Sequence, residues 1–174
     1  MNKVLEAMKE RRSIRSFRPD AVPQELLDQI MEAGLYAANG RGSQNTIIIQ
    51  VTKKSVRDEI AEMNRKIGGW DEGFDPFYGA PAMLIVLGKK DWPTHVYDGS
   101  LVMGNLMLAC HELGLGSCWI HRAKEEFESE EGKKLLEKWG LGENYAGVGH
   151  CALGYADGEK PAAKERREGR IIRV

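Results

Sequence analysis

Cysteine is scarce in this sequence: three residues in 174, none of them in a CxxC pair. That argues against a disulfide-stapled scaffold and suits a reducing compartment, so a cytoplasmic location is expected. No apolar run approaches the ~18–20 residues that a transmembrane helix needs, so no membrane partner is expected. The opening MNKVLEAMKERRS carries acidic residues and no apolar h-region, so it does not read as a signal peptide. Neither sign of charge is in excess: Lys plus Arg number 25 and Asp plus Glu 26, for a net charge of −1. A generic nucleic-acid binder is therefore disfavoured. Internal repeats, low-complexity tracts and linkers are also missing. One domain over residues 1–174 is expected, with 156–174 as a C-terminal arm.

What is present is the balance of a globular chain, 42% apolar and 29% charged. Its charge is unevenly spread. Residues 1–19 and residues 160–174 each carry a balance of +4, which leaves −9 for the residues between. Chain ends often lie close together in a compact domain. The ends read either as two solvated basic tails or as one anion site fed from both.

Periodicity predicts helices over 3–10, from Pro23 to about Leu35, from Ser55 onward, from Gly99 to about Leu113 with Asp98 as its cap, and from about Lys124 to Trp139. The short apolar runs TIIIQV (46–51), AMLIVL (82–87), SCWIH (117–121) and Tyr145–Tyr155 predict strands. Alternating strands and helices argue for a sheet covered by helices, an α/β or α+β fold.

One stretch stands out chemically. Arg11, Ser13 and Arg15 share a face of extended backbone, with Arg12 and Ile14 opposite. Guanidinium forks and a hydroxyl are suited to phosphate. The same residues also fit a solvated helix C-terminus, whose dipole favours cations. Gly114–Gly116 and Gly147–Gly149 do not make a dinucleotide fingerprint, because neither lies between a strand and a helix. His150 and Cys151 point to opposite faces of a strand, so a zinc site is not expected. Cys110, Cys118 and Cys151 read as small buried hydrophobes.

Several segments, in order, resemble the FMN-dependent nitroreductase family. They are RRSIRSF at 11–17, Asn39–Gln44, Gly79-Ala80-Pro81 before AMLIVL, Asn105–Ile120, and Leu153-Gly154-Tyr155 followed by Lys160, Lys164 and Arg166. The resemblance implies a mixed sheet flanked by helices in an intertwined homodimer, with FMN at the subunit interface. It implies that Arg11, Arg12, Ser13 and Arg15 grip phosphate and ribityl oxygens, with Arg15 also near the pyrimidine edge. Asn39, Ser43 and Gln44 would come from the partner subunit. Ile120, His121 and Arg122 would lie under the ring, with a backbone N–H facing N5. Lys164 and Arg166 would reach the phosphate, and Asn64 would make a polar contact with the flavin. The implied activity is hydride transfer from NADH or NADPH to nitroaromatic, quinone or similar small-molecule acceptors by a ping-pong mechanism. Within the same fold the alternatives are a dehalogenase-like or flavin-consuming enzyme, or a non-enzymatic flavin-binding protein.

The sequence departs from the family pattern in three places. Asn45 and Thr46 follow Gln44 where many members have Pro-Trp. His121 replaces a small or acidic residue, and reads either as a proton donor to the acceptor or as a surface imidazole without a role. The segment from Met63 to Pro81 is short, with Trp70, Phe74, Phe77 and Tyr78 read either as pocket walls or as core.

Overall fold

Asn2 opens the first helix. Its side-chain oxygen accepts the N–H groups of Val4 at 2.9 Å and Leu5 at 3.4 Å. Helix α1 (Lys3–Glu10) follows in the computed structural model, which describes residues 2–174. Then come α2 (Gln24–Leu35), β1 (Thr46–Val51), α3 (Lys54–Gly68), β2 (Ala82–Lys89), α4 (His95–Glu112), β3 (Gly116–Ile120), α5 (Ala123–Glu128), α6 (Glu130–Lys138) and β4 (Tyr145–Gly154). No helix among the described residues is long and apolar enough to cross a membrane.

The strands form one sheet in the order β1-β2-β4-β3, with all three pairings antiparallel. The mixed character expected of the sheet is confined, within the single chain, to an isolated parallel bridge between Ser13 and Ser117. Strand β2 is central and buried on both faces, as its unbroken apolar run predicts. Met83, Ile85 and Leu87 point to a core shared with α3, α5 and α6; Ala82, Leu84 and Val86 point to a second core shared with α2 and α4. The result is a helix–sheet–helix arrangement of the α+β kind. Gly147 brings one helical layer onto the sheet: a Cβ there would lie 2.1 Å from the Ala123 carbonyl oxygen.

Three local expectations are corrected. Ser55 does not cap α3; the helix begins at Lys54, and its cap residue Lys53 makes no side-chain hydrogen bond. Asp98 does not cap α4, which starts at His95 and places Asp98 in its first turn. The helix predicted over 124–139 is two helices. Ser129 breaks it by donating its hydroxyl to the Glu126 carbonyl at 2.6 Å and capping α6 at the Gly132 N–H at 3.0 Å.

Candidate functional site

Helix α1 ends at Arg11, whose backbone turns extended (φ −55°, ψ 133°). The next residues dock along the sheet. The Ile14 N–H donates to the Ser117 carbonyl at 3.0 Å, the Arg18 N–H to Tyr155 at 2.9 Å, and the Asp157 N–H to Ser16 at 2.9 Å. Ile14 and Phe17 are buried as pegs, while Arg15 stays exposed. Arg11, Ser13 and Arg15 gather around Cys118. Burial pushes that thiol up, while Arg15, a hydrogen bond from Ser13 and Arg11 pull it down.

The two basic ends meet. Lys160 lies 3.9 Å from Glu10, and with Arg11, Arg12 and His111 it lines a hollow of about 230 Å³. Lys164 and Arg166 face Met8 and Lys9 of α1 across a second hollow of about 540 Å³. Arg12 is partly committed: its Nη1 donates to the carbonyls of Lys9 at 2.6 Å and Arg11 at 2.7 Å, closing the end of α1. Nη1 of Arg11 and Nε of Arg12 are buried without any hydrogen-bond partner.

The 39–45 loop is tied to α4. Asn39 accepts the Gln44 N–H at 3.0 Å, and Asn45 donates to Ser43 at 2.7 Å. Asp98 collects the Asn45 amide at 2.6 Å, the Thr94 hydroxyl at 2.8 Å and the Gly40 N–H at 2.9 Å. Burial alone would raise its pKa. The three donors outweigh burial and hold the carboxyl below the ordinary aspartate range. No hydrogen bond among the described residues links this loop to Arg11–Arg15 in the same chain.

At the end of β3, Ile120 is buried, His121 is exposed, and Arg122 has a left-handed backbone (φ 81°). The Arg122 guanidinium stacks 4.4 Å over the Trp70 ring, which continues to Phe74 (4.8 Å) and Tyr78 (6.4 Å from Phe74). Phe77 leaves that series and is core, packed 5.3 Å from His150. Asn64 is fully buried. It donates to the His121 carbonyl at 2.8 Å and to Glu126, which lies 2.5 Å from His150. Sequence reasoning missed Glu126, His150 and Asp98 as neighbours of the site, and named Lys160 only within the C-terminal pattern, with no role of its own. Only Lys160 left a signal, as part of the basic C-terminal end.

The sequence pattern described as the Nitroreductase family matches residues 8–155. A relative from Methanothermobacter thermautotrophicus, provisionally named an NADH dehydrogenase/NAD(P)H nitroreductase, is 31% identical over 128 residues, covering 67% of this chain and 59% of its own length. The NAD(P)H FMN reductase of Bacillus subtilis is 38% identical over 135 residues, covering 67% of this chain and 53% of its own length. This chain thus spans less than two thirds of both curated relatives. A solved nitroreductase with bound FMN from Bacteroides fragilis is 28% identical, with a TM-score of 0.90 over 100% of both chains.

Proposed function

This chain belongs to the Nitroreductase family, and from that premise we propose that it binds FMN in the cytoplasm and passes hydride from NADH or NADPH to nitroaromatic, quinone or similar small-molecule acceptors. The FMN held by the solved B. fragilis relative and the FMN reductase name of the B. subtilis relative support the cofactor. The observation that carries the reading is the convergence of both basic ends around two buried guanidinium nitrogens that lack partners. A buried donor without an acceptor costs about 1–3 kcal/mol, which phosphate oxygens would relieve.

Arg11 and Ser13 hold the phosphate end, and Lys164 and Arg166 add charge to it. Arg15 is exposed and permanently cationic, so it suits the pyrimidine edge, where it favours negative charge without giving up a proton. Ile120, His121 and Arg122 form the floor beneath the ring. Bound FMN supplies the hydride chemistry, with reductant and acceptor using one cavity in turn. No side chain has to serve as general acid or base.

The site is completed in a homodimer, where Asn39, Ser43 and Gln44 reach the other subunit's cofactor. Large apolar side chains left exposed on the single chain support this: Val4, Leu5 and Met8 of α1, Tyr36 after α2, and Tyr97 and Leu101 of α4. The arm beyond Tyr155 is exposed throughout, with Ile171 and Ile172 near its end. A second copy is the natural cover for both surfaces.

The test is a visible spectrum of the purified protein, extraction of its chromophore, and anaerobic reduction by NADH or NADPH followed by an acceptor. A yellow protein that bleaches and recovers its colour supports the reading. A colourless protein that takes up no added FMN overturns it. Bleaching that no acceptor reverses points to a flavin-consuming or non-enzymatic role.

A further inference from the structure

Beneath the floor segment the core holds three polar side chains that are wholly shielded from solvent. Asn64 of α3, Glu126 of α5 and His150 of β4 each have 0% exposure. Nε2 of His150 lies 2.5 Å from one oxygen of Glu126. The Asn64 amide donates to the other oxygen and, at 2.8 Å, to the His121 carbonyl. The rings of Phe77 and Phe127 pack on the imidazole at 5.3 Å and 6.3 Å. Nδ1 of His150 and Oδ1 of Asn64 have no partner at all.

This is an expensive way to fill a core. Buried ionisable pairs rarely stabilise more than apolar residues of the same volume would, and orphaned polar atoms add to the cost. Apolar residues cannot supply the one thing the cluster delivers outside itself, which is a fixed donor at the His121 carbonyl. A second cost falls on the residue after His121, since Arg122 is held at φ 81°, a region that non-glycine residues seldom adopt. Costs concentrated at one point are a reason to look for function there.

The His121 oxygen and the Arg122 N–H belong to one planar trans peptide and point in opposite directions. Holding the oxygen toward the core therefore aims the N–H away from it. Among the described residues that N–H donates to nothing. We propose that Asn64, Glu126 and His150 are positioning residues, with Glu126 and His150 locking Asn64 so that it fixes the His121–Arg122 peptide with its N–H turned to the flavin. The proposal rests on the FMN reading above. A fixed donor at the ring favours the reduced, more electron-rich cofactor, so the network tunes reduction more than binding.

The test compares wild type with Asn64→Leu, which keeps the branched shape and removes the donor, and with Glu126→Gln, which keeps the shape and an acceptor for Asn64. FMN affinity, the two-electron midpoint potential of bound FMN and thermal stability are measured on each. Asn64 is wholly shielded, so it acts on the flavin through the His121–Arg122 peptide, and in Asn64→Leu the affinity for reduced FMN falls more than that for oxidised FMN. Its preference for reduced over oxidised flavin falls about tenfold, equivalent to about 30 mV lower potential for a two-electron couple. Glu126→Gln keeps the potential near that of wild type. If Asn64→Leu fails to fold, the double variant Glu126→Leu/His150→Leu unlocks Asn64 without leaving either half of the Glu126–His150 pair alone, and a shift in the same direction is expected. An unchanged potential with only a lower melting temperature overturns the proposal and reduces the cluster to core structure. Wild type that binds no FMN defeats the functional reading itself, and this inference with it.

Discussion

The Asn45 amide donates to the Asp98 carboxylate at 2.6 Å across 53 residues of sequence, and so ties a glycine-rich loop to the first turn of α4. With Thr94 and the Gly40 N–H on the same carboxylate, Asp98→Ala strands several donors at once. It should cost about 2–4 kcal/mol in urea unfolding. The three donors lower the folded pKa of Asp98 below the unfolded value, so its contribution is complete above that value. It is lost as pH falls through the folded value. The stability gap between wild type and Asp98→Ala should therefore be flat above pH ~5 and shrink below pH ~4. A gap that is constant down to pH ~2 contradicts this assignment.

Arg11→Ala combined with Arg15→Ala should weaken FMN binding by at least about a hundredfold, since a hydrogen bond to a charged group contributes about 1.5–3 kcal/mol. Fluorescence titration of apoprotein reads this directly. Full flavin occupancy in the double variant would contradict the phosphate assignment. Because Arg15 is exposed, Arg15→Ala alone should lose most of its effect at high salt.

Gly132→Ala should destabilise the joint between α5 and α6 by about 2–4 kcal/mol, because overpacking at fixed backbone cannot relax. A Cβ at this position would sit 1.9 Å from the Glu126 carbonyl oxygen. Thermal melting checks it. The same change at Gly142, where nothing lies within 4 Å, should be close to neutral.

Light scattering should give twice the 19.5 kDa chain mass. Removing residues 161–174 should lower both the dimer fraction and FMN retention, since the deletion takes Ile171, Ile172, Lys164 and Arg166 together. A truncated dimer that keeps its flavin would separate the arm from both roles.

Where local chemistry decides the structure, the sequence is readable. TIIIQV is a strand because β-branched residues suit a pleated surface, and β1 spans Thr46–Val51 as predicted. Asp98 misleads because an aspartate ahead of Gly-Ser-Leu looks like a helix cap; its partner Asn45 is remote in sequence and recruits it for a tertiary role. The break at Ser129 depends on a hydroxyl choosing the Glu126 carbonyl, which an apolar stripe does not register. Glu126 lies within the run KEEFESEE, which reads as a solvated face, so its burial beside His150 leaves no mark on composition. The basic ends were legible because summed charge survives any local misreading.

The docking of residues 13–18 onto Ser117, Tyr155 and Asp157 has a consequence for the order of events in the cell. Synthesis proceeds toward the carboxyl end, so the arginine-rich segment leaves the ribosome about a hundred residues ahead of Ser117 and further still ahead of Tyr155 and Asp157. Its seat is not made until residue 157 of 174 has emerged. An anion met earlier finds only a flexible cationic thread. An anion site built on this segment therefore forms only after the sheet that seats it has been made.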